Sequence, residues 1–443
     1  MRVRRLTAIW AAKIVSTACR LSGRQGVTFA GKVALKLDPK ILSDLASQVR
    51  EKIFVVCGTN GKTTTNNLLC SAIESDGKKL VCNHTGSNML AGVAAAFVLA
   101  AKNTGKLDAD YACIEIDEAS TLRIFPHFKP DFMVLTNLFR DQLDRYGEID
   151  TTMDILKRAM QMAPEMTVIV NGDDALSAYL AMESGNPYKT YGITEQVFQE
   201  QNDNEIREGR FCKRCGAKLE YEFYHYSQIG KYHCPSCGFT RPEPDFNASN
   251  IDMSDGLQFD VDGRHIAASY RGFYNIYNIL AAYSAGRTAG MELAGFERVL
   301  SDFNPQNGRM EHFQIDGTDI ILNLAKNPAG FNQNISAVME DEKDKDIIIV
   351  INDNAQDGTD ISWLWDVDFD RFADQSIRSI TVSGIRCQDM RLRMKYVDIP
   401  SELIADVKSA LEARIKDGCK NLYVLVNYTA LFSTRSLLKQ MEK

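Results

Sequence analysis

One short run of the chain contains the residue types that bind nucleotide phosphates, in the order Gly58, Thr59, Asn60, Gly61, Lys62, Thr63 and Thr64. The apolar residues 53–57 before it predict a buried strand, and residues 64–73 after it predict a helix. Glycines let backbone N–H groups close on phosphate oxygens, and the helix presents its N-terminus to the anion. Because Lys62 can reach the terminal phosphates and Thr63 can bind Mg²⁺, the run predicts ATP as the cofactor.

Carboxylates follow two later apolar runs. Glu115 stands near the end of the run 111–116, and the polar segment 137–147 follows the run 132–136. Both positions are carboxyl ends of predicted parallel strands, where doubly wound sheets bind their ligands. Carboxylates placed there can hold the Mg²⁺ that bridges nucleotide and substrate oxygens. Solvated acidic loops are the alternative interpretation of either segment alone.

Two Cys-x-x-Cys pairs predict a metal site formed by Cys212, Cys215, Cys234 and Cys237. A stretch of 18 residues separates the pairs, and a glycine follows each of them. Two such knuckles offer four thiolates to one tetrahedral Zn²⁺, with no open position left for a catalytic water. We therefore expect a structural zinc ribbon, with redox disulfides as the alternative.

Elements that position these groups follow from the alternation of apolar runs with helical segments, which is typical of parallel α/β sheets. We predict an N-terminal helical segment at 1–45 and a central ATP-binding domain at 46–315. The polar, cysteine-containing region at about 203–245 is predicted to be an insertion in that domain, and 316–443 a separate C-terminal α/β domain.

The length, net charge and cysteine content of the chain exclude some classes of function. With 443 residues and a net charge of −7, the chain is long enough for several domains and too acidic for a general nucleic-acid binder. Eleven cysteines, several of them in apolar runs, suit a reducing cytoplasm. The basic start and the apolar residues 6–21 predict an amphipathic helix. It either packs on the first domain or contacts the inner face of an anionic membrane.

In these motifs the chain resembles the Mur ligase family, which has a GTNGKT loop, a glutamate after a following strand, a TNxxxDHLD segment, an NxxNxxAA helix and a GRxE turn. Counterparts occur here in the same order between residues 50 and 315, the last two at 275–282 and 308–311. The resemblance implies phosphate and Mg²⁺ contacts for Lys62 and Thr63, a Mg²⁺ ligand at Glu115, and nucleotide contacts at Asn278 and Arg309. Gln142 replaces the family histidine.

The inserted ribbon, the short segment before Gly58 and the string 353–366 are similar to one branch of that family, the MurT-type subunits of lipid II isoglutaminyl synthase. The implied fold is a Mur ligase-like P-loop domain with an inserted four-cysteine zinc ribbon and a Rossmann-like C-terminal α/β domain. The implied reaction is ATP-dependent amidation of a D-glutamate α-carboxylate in lipid II through an acyl phosphate.

The same resemblance implies that ammonia comes from a GatD-type glutaminase partner. Asp360 would complete the partner's catalytic triad by orienting its histidine. As an alternative, Asp360 is a loop or cap residue before the segment 362–366. Two other functions stay open: a ligase that adds an amino acid to folate or to a peptidoglycan precursor, and a zinc-ribbon binding module in which the P-loop only senses nucleotide.

Overall fold

The computed structural model describes residues 2–21, 26–83, 87–141, 148–198, 208–269, 271–302 and 308–442. Within these ranges the α-helices are α1 Arg2–Leu21, α2 Val27–Leu37, α3 Ile41–Ala46, α4 Lys62–Ser75, α5 Leu90–Ala100, α6 Thr121–Ile124, α7 Ile149–Gln161, α8 Ala175–Ser184, α9 Tyr274–Thr288, α10 Phe296–Asp302, α11 Pro328–Met339, α12 Cys387–Tyr396, α13 Val407–Lys416 and α14 Tyr428–Met441. The strands are β1 Lys52–Cys57, β2 Leu80–Cys82, β3 Tyr111–Glu115, β4 Phe132–Leu135, β5 Thr167–Asn171, β6 Tyr188–Ile193, β7 Glu220–Tyr226, β8 Ile229–His233, β9 Phe246–Asp252, β10 Leu257–Val261, β11 Arg264–Ala268, β12 Glu311–Ile315, β13 Thr318–Leu324, β14 Lys345–Val350, β15 Ile377–Ser383, β16 Glu402–Leu403 and β17 Asn421–Val426.

The first sheet has nine strands in the order β11-β10-β9-β6-β5-β4-β1-β3-β2. The strands from β9 to β2 run parallel, whereas β10 and β11 add an antiparallel edge. Strand β1 is central and nearly continuously apolar, because helices cover both faces of a parallel sheet. The segments 58–61, 116–118 and 136–138 follow β1, β3 and β4, so three of the polar segments meet at one edge of the sheet.

The second sheet has six strands in the order β12-β13-β17-β14-β15-β16. All neighbours are parallel except β12, which pairs antiparallel with β13. Residues 311–315 therefore belong to this sheet, although the predicted boundary at 315 left them in the central domain. Their alternating burial explains the pairing, since Glu311, Phe313 and Ile315 point inward while the residues between them are exposed.

Helices α1 and α2 pack on the first sheet through α5. Ala8, Ile9 and Ala12 of α1 are fully buried, so one face of this helix docks on the domain as the first of the two interpretations predicts. Within the described residues, no helix combines the length and the apolar character needed to cross a membrane.

The antiparallel pair β7–β8 forms a separate small sheet inserted between β6 and β9. It packs on α8 through a small cluster that includes Ala175, Ala178, Leu219, Tyr232 and Phe239. The ribbon therefore shares a core with the central domain, and its fold does not rest on cysteine chemistry alone.

Candidate active site

The phosphate-loop conformation depends on two glycines. Gly58 has φ 116° and Gly61 has φ 84°, values in the left-handed region that side chains disfavour. A Cβ atom on Gly58 would lie 2.2 Å from Thr136 Oγ1, and one on Gly61 would lie 2.1 Å from Asn278 Oδ1. The loop is thus pressed between the end of β4 and α9, and only glycine fits at either position.

Lys62, the first residue of α4, forms a buried ion pair with Glu118. Its Nζ lies 2.9 Å from Glu118 Oε1, and the two side chains are only 10% and 8% exposed. The ammonium also donates to the carbonyl oxygen of Gly58, whose N–H donates to the same Glu118 oxygen at 2.8 Å. Burial opposes the charge on Lys62, but Glu118, Glu115 and Asp117 raise its pKa above the ordinary lysine value. The lysine is charged and held over its own loop.

Glu118 is the functional candidate that the sequence reasoning missed. Three acidic residues, Glu115, Asp117 and Glu118, follow β3 closely, and spacing alone does not show which of them meets Lys62. A 3-10 turn over Glu118–Ser120 decides it by directing the Glu118 carboxylate at the loop. Burial raises the pKa of Glu118, and the ammonium of Lys62 opposes that rise.

Glu115 is the last residue of β3. Among the described residues, only one of its two carboxylate oxygens accepts a hydrogen bond. Asn88 donates to its Oε1 at 2.9 Å, and Asn83 bonds its backbone in both directions, at 2.8 and 2.9 Å. Its Oε2 is buried and accepts no hydrogen bond from the part of the chain that the structure describes. A buried carboxylate oxygen without a donor is costly unless a cation occupies the position. The residues present therefore fit a Mg²⁺ ligand at Glu115.

A cleft of about 760 Å³ opens between the two sheets beside the phosphate loop. Asn60, Gly61 and Thr64 line it from the loop, Asn278 lines it from α9, and Arg309 lines it from the connection to the second sheet. Further lining residues come from both domains: Asn137, Phe139, Tyr226, Tyr274, Asn275, Asn323, Leu324, Lys326, Ala329, Gly330, Gln333 and Asn334. The structure thus brings five of the predicted nucleotide residues to one cleft, whereas Gly58, Thr59, Lys62 and Thr63 are not among the residues that line it.

Arg309 and Asn278 differ in how they are held. Asn278 donates to Asn275 Oδ1 at 2.9 Å, so two asparagines one helical turn apart face the loop as a bonded pair. Burial lowers the pKa of Arg309, and Tyr274 and Glu115 oppose that effect. A guanidinium removed from water in this way is stabilised by an incoming anion such as a phosphate.

Direct contacts join the two sides of the cleft. Asn60 and Asn327 exchange amide hydrogen bonds at 3.3 and 3.1 Å, and Lys326 pairs with Asp141. Asn327 is also the N-cap of α11, where its side chain accepts from Gly330 N at 2.8 Å. The second domain therefore contacts the tip of the phosphate loop through one capped helix N-terminus.

The cysteine quartet has the geometry of a metal site. All four Sγ atoms lie within 4.8 Å of one another, with 3.6 Å between Cys212 and Cys237 and 3.5 Å between Cys215 and Cys234. Tetrahedral zinc with bonds of about 2.3 Å separates its sulfurs by roughly 3.8 Å. Burial opposes ionisation of Cys234, yet donation by the N–H groups of Cys237 and Ser236 lowers its pKa to about 6. The donor set fits one Zn²⁺.

The turn between β7 and β8 connects the ribbon to the phosphate loop. Gln228 is fully buried and donates to Leu138 O at 2.6 Å and to Asp174 Oδ1 at 3.0 Å. The residue after Leu138, Phe139, exchanges hydrogen bonds with Thr59, whose hydroxyl donates to Phe139 O at 3.0 Å and accepts from Phe139 N at 2.9 Å. The ribbon is therefore hydrogen-bonded to the segment 138–139, which in turn is hydrogen-bonded to the phosphate loop.

Asp360 lies outside this cleft, in a second concavity on the C-terminal domain. Thr359, Ile361, Ser362, Trp365, Leu392 and Arg393 are among the residues that line that concavity. Donation by the backbone N–H of Ser362, at 2.8 Å, and by its hydroxyl lowers the pKa of Asp360. Asp360 is thus an ionised loop residue near the surface that accepts from Ser362, just before the turn 362–366. Gln142, the other position in question, lies outside the described residues.

Two protein-family models match most of the chain. The model described as Mur ligase middle domain matches residues 56–286, and the model described as MurT ligase C-terminal matches residues 324–431. The chain is 35% identical to the lipid II isoglutaminyl synthase (glutamine-hydrolyzing) subunit MurT of Staphylococcus aureus strain COL, over 97% of this chain and 96% of that protein.

The chain belongs to the MurT subunits of the Mur ligase family. The subunit of the same name from Streptococcus pneumoniae strain R6 is also 35% identical, over 94% of this chain and 92% of that protein. Family membership makes the chain an ATP-dependent ligase.

Solved structures agree on the fold. A pseudomurein peptide ligase type C from Methanothermus fervidus superposes with a TM-score of 0.69 at 21% identity, covering 89% of this chain and 80% of that one. MurF from Acinetobacter baumannii gives a TM-score of 0.67 at 14% identity, covering 94% and 81%. The predicted Mur ligase-like α/β fold is confirmed.

Proposed function

We propose that this chain amidates the α-carboxylate of D-glutamate in lipid II to give D-isoglutamine, with ammonia supplied by a GatD-type glutaminase. The curated relatives are named as glutamine-hydrolyzing lipid II isoglutaminyl synthase subunits, which supports this substrate and this nitrogen source. Two features at one sheet edge carry the proposal: Lys62 is buried and charged, and Glu115 has a buried oxygen that accepts no hydrogen bond from the described residues. That arrangement suits phosphoryl transfer to a carboxylate.

The reaction proceeds in two displacements. A carboxylate oxygen of the substrate forms a bond to the γ-phosphorus of ATP, and the bond from that phosphorus to the β-bridging oxygen breaks to release ADP. The ammonia lone pair then attacks the acyl carbon, phosphate departs with the electrons of the C–O bond, and one proton leaves the nitrogen. Activation is needed because a carboxylate is a poor electrophile.

In this proposal Lys62 leaves Glu118 to contact the terminal phosphates, and the backbone of Gly58, Thr59, Asn60 and Gly61 surrounds them. Thr63 and Glu115 would hold Mg²⁺, which would offset the negative charge of the phosphates. The remaining nucleotide contacts are assigned to Thr64, Asn278 and Arg309.

Closure of the cleft excludes water from the acyl phosphate. Asn327 at the α11 N-terminus and the Lys326–Asp141 pair already join the domains, which supports closure of one domain on the other. We take 46–310 as the ATP-binding domain and 311–443, which includes β12, as the domain that closes on it.

Asp360 is proposed to orient the histidine of the glutaminase partner. Its carboxylate is ionised and lies in a surface concavity that Trp365 also lines. Trp365 is 48% exposed and packs edge-on against Tyr396, which is 70% exposed. Exposed aromatic side chains of this kind are enriched in protein interfaces. The four-cysteine ribbon is proposed to hold a structural Zn²⁺, and the complex to act in the cytoplasm without nucleic acid.

The decisive experiment measures amidation of lipid II by the purified chain with ATP and Mg²⁺, supplied with either ammonium or glutamine. We expect product from ammonium alone, and from glutamine only when a GatD-type subunit is added. Lys62→Ala should abolish both products while leaving binding to the partner intact. ATP-dependent addition of a free amino acid to another acceptor, with no amidation, would instead identify an amino-acid-adding ligase.

A further inference from the structure

The N-terminal helices carry a local charge opposite to that of the whole chain. The first 37 residues contain eight Lys or Arg residues and no Asp or Glu, although the net charge is −7. Helices α1 and α2 lie antiparallel, because Arg4 near the start of α1 donates to the carbonyl of Leu37 at the end of α2. At the other end, Cys19 packs against Gly26. These helices form one basic unit on an acidic protein.

Helix α1 has two apolar faces, of which the described residues of the protein bury only one. Ala8, Ile9 and Ala12 are fully buried against the domain. On the opposite side Trp10 is 55% exposed and Ile14 is 69% exposed, with Val3 on the same face. At about 100° per residue, positions 3, 10 and 14 fall within an arc of roughly 40°, so these side chains form a single stripe.

Basic side chains accompany the stripe. Arg4 and Arg20 on α1 and Lys32 and Lys36 on α2 are exposed. Phe29 of α2 adds a second aromatic ring that is 57% exposed. An apolar stripe with a tryptophan, accompanied by Lys and Arg and free of acids, matches the interfacial region of an anionic bilayer. A second copy of the chain is not the expected partner, because docking would bring like charges together. A nucleic acid is not expected either, because it offers no apolar surface that matches the length of the stripe.

We propose that α1 and α2 bind the surface of an anionic lipid bilayer, with the stripe entering the headgroup region. This inference goes beyond the ligase reaction and does not depend on it. The surface lies close to the candidate Mg²⁺ site, since Thr28 Oγ1 is 3.4 Å from Ser87 Oγ and the adjacent Asn88 donates to Glu115. Membrane binding by this surface therefore places the edge of the first sheet that carries Glu115 near the bilayer.

Co-sedimentation of the full chain with vesicles tests the surface. We expect binding to vesicles of mixed phosphatidylcholine and phosphatidylglycerol, none to phosphatidylcholine alone, and loss of binding at high salt. Replacing Lys32 and Lys36 by Gln should lower the partition coefficient about 30-fold, at roughly 1 kcal/mol for each charge. The double variant Ile14→Glu with Phe29→Glu should abolish binding.

A matched control makes the same kind of substitution, an exposed isoleucine to glutamate, on a different surface of the protein. Ile385 on the C-terminal domain is 60% exposed, so Ile385→Glu should leave vesicle binding unchanged. Thermal unfolding and metal content verify that each variant is folded. Three outcomes would overturn the proposal: no binding of the unchanged chain to anionic vesicles, equal binding by the Ile14/Phe29 variant, or conversion of a dimer to a monomer by that variant. Stronger binding of the unchanged chain to a DNA oligonucleotide than to anionic vesicles would overturn it as well.

Discussion

Replacing Glu118 by Gln removes the negative partner of Lys62 while keeping the size of the side chain. At 2.9 Å and an effective dielectric constant of about 20, the charge pair is worth at most roughly 6 kcal/mol. Glu115 and Asp117 still favour the ammonium, and the amide oxygen can still accept from Gly58 N. We therefore expect the free energy of unfolding of the nucleotide-free protein to fall by about 3 kcal/mol, near the lower limit for breaking a buried pair.

Nucleotide should reverse most of this loss. When the phosphates take Lys62 away from Glu118, the unchanged protein gives up the same ion pair, and the variant has none to give up. Denaturant unfolding with and without saturating ATP measures this difference. We expect ATP to stabilise the Glu118→Gln protein by about 3 kcal/mol more than the unchanged protein.

The control is Asp117→Asn, which removes a neighbouring buried charge that acts on Lys62 at longer range. It should cost less than the Glu118 change, and its loss should depend less on ATP. Equal destabilisation of the Glu118→Gln protein with and without ATP would refute the idea that Lys62 exchanges a carboxylate for phosphates. A Glu118→Gln protein as stable as the unchanged one would refute the strength assigned to the pair.

Three further predictions concern the ribbon and the partner. Gln228→Ala should cost about 1–3 kcal/mol of stability and raise the KM for ATP, because Leu138 O and Asp174 Oδ1 lose this donor and Gly209 N loses its acceptor. The exposed Gln196→Ala is the control, and an unchanged KM would contradict the link between ribbon and loop. Cys237→Ser should lower the zinc content and the Tm, whereas Ser236→Ala should change neither, and elemental analysis showing no zinc in the unchanged protein would remove the metal site. Asp360→Asn should abolish glutamine-dependent amidation in the complex but retain the ammonium-dependent reaction, and glutamine hydrolysis at the original rate would exclude Asp360 from the triad.

Much of this protein is determined by its sequence because the decisive signals are local. The phosphate loop, the strand before it, the helix after it and the spacing of the four ribbon cysteines each depend on short local segments. Some of these have fixed backbone requirements, such as the left-handed φ of Gly58 and Gly61. The apolar runs predicted as strands are strands in the structure, since a strand buried on both faces has to be apolar throughout. Family motifs then extended these signals to the whole fold.

Tertiary structure alone decided which polar groups meet. Glu118, rather than its acidic neighbours, pairs with Lys62 because a 3-10 turn aims it at the loop, and spacing does not encode that direction. Gln228 supports the nucleotide cleft from the ribbon, across 90 residues of chain. The exposed second face of α1 became visible only when packing showed which face the domain covers. Contacts of this kind depend on long-range geometry, because the partners lie far apart in sequence and meet only when the sheets are assembled.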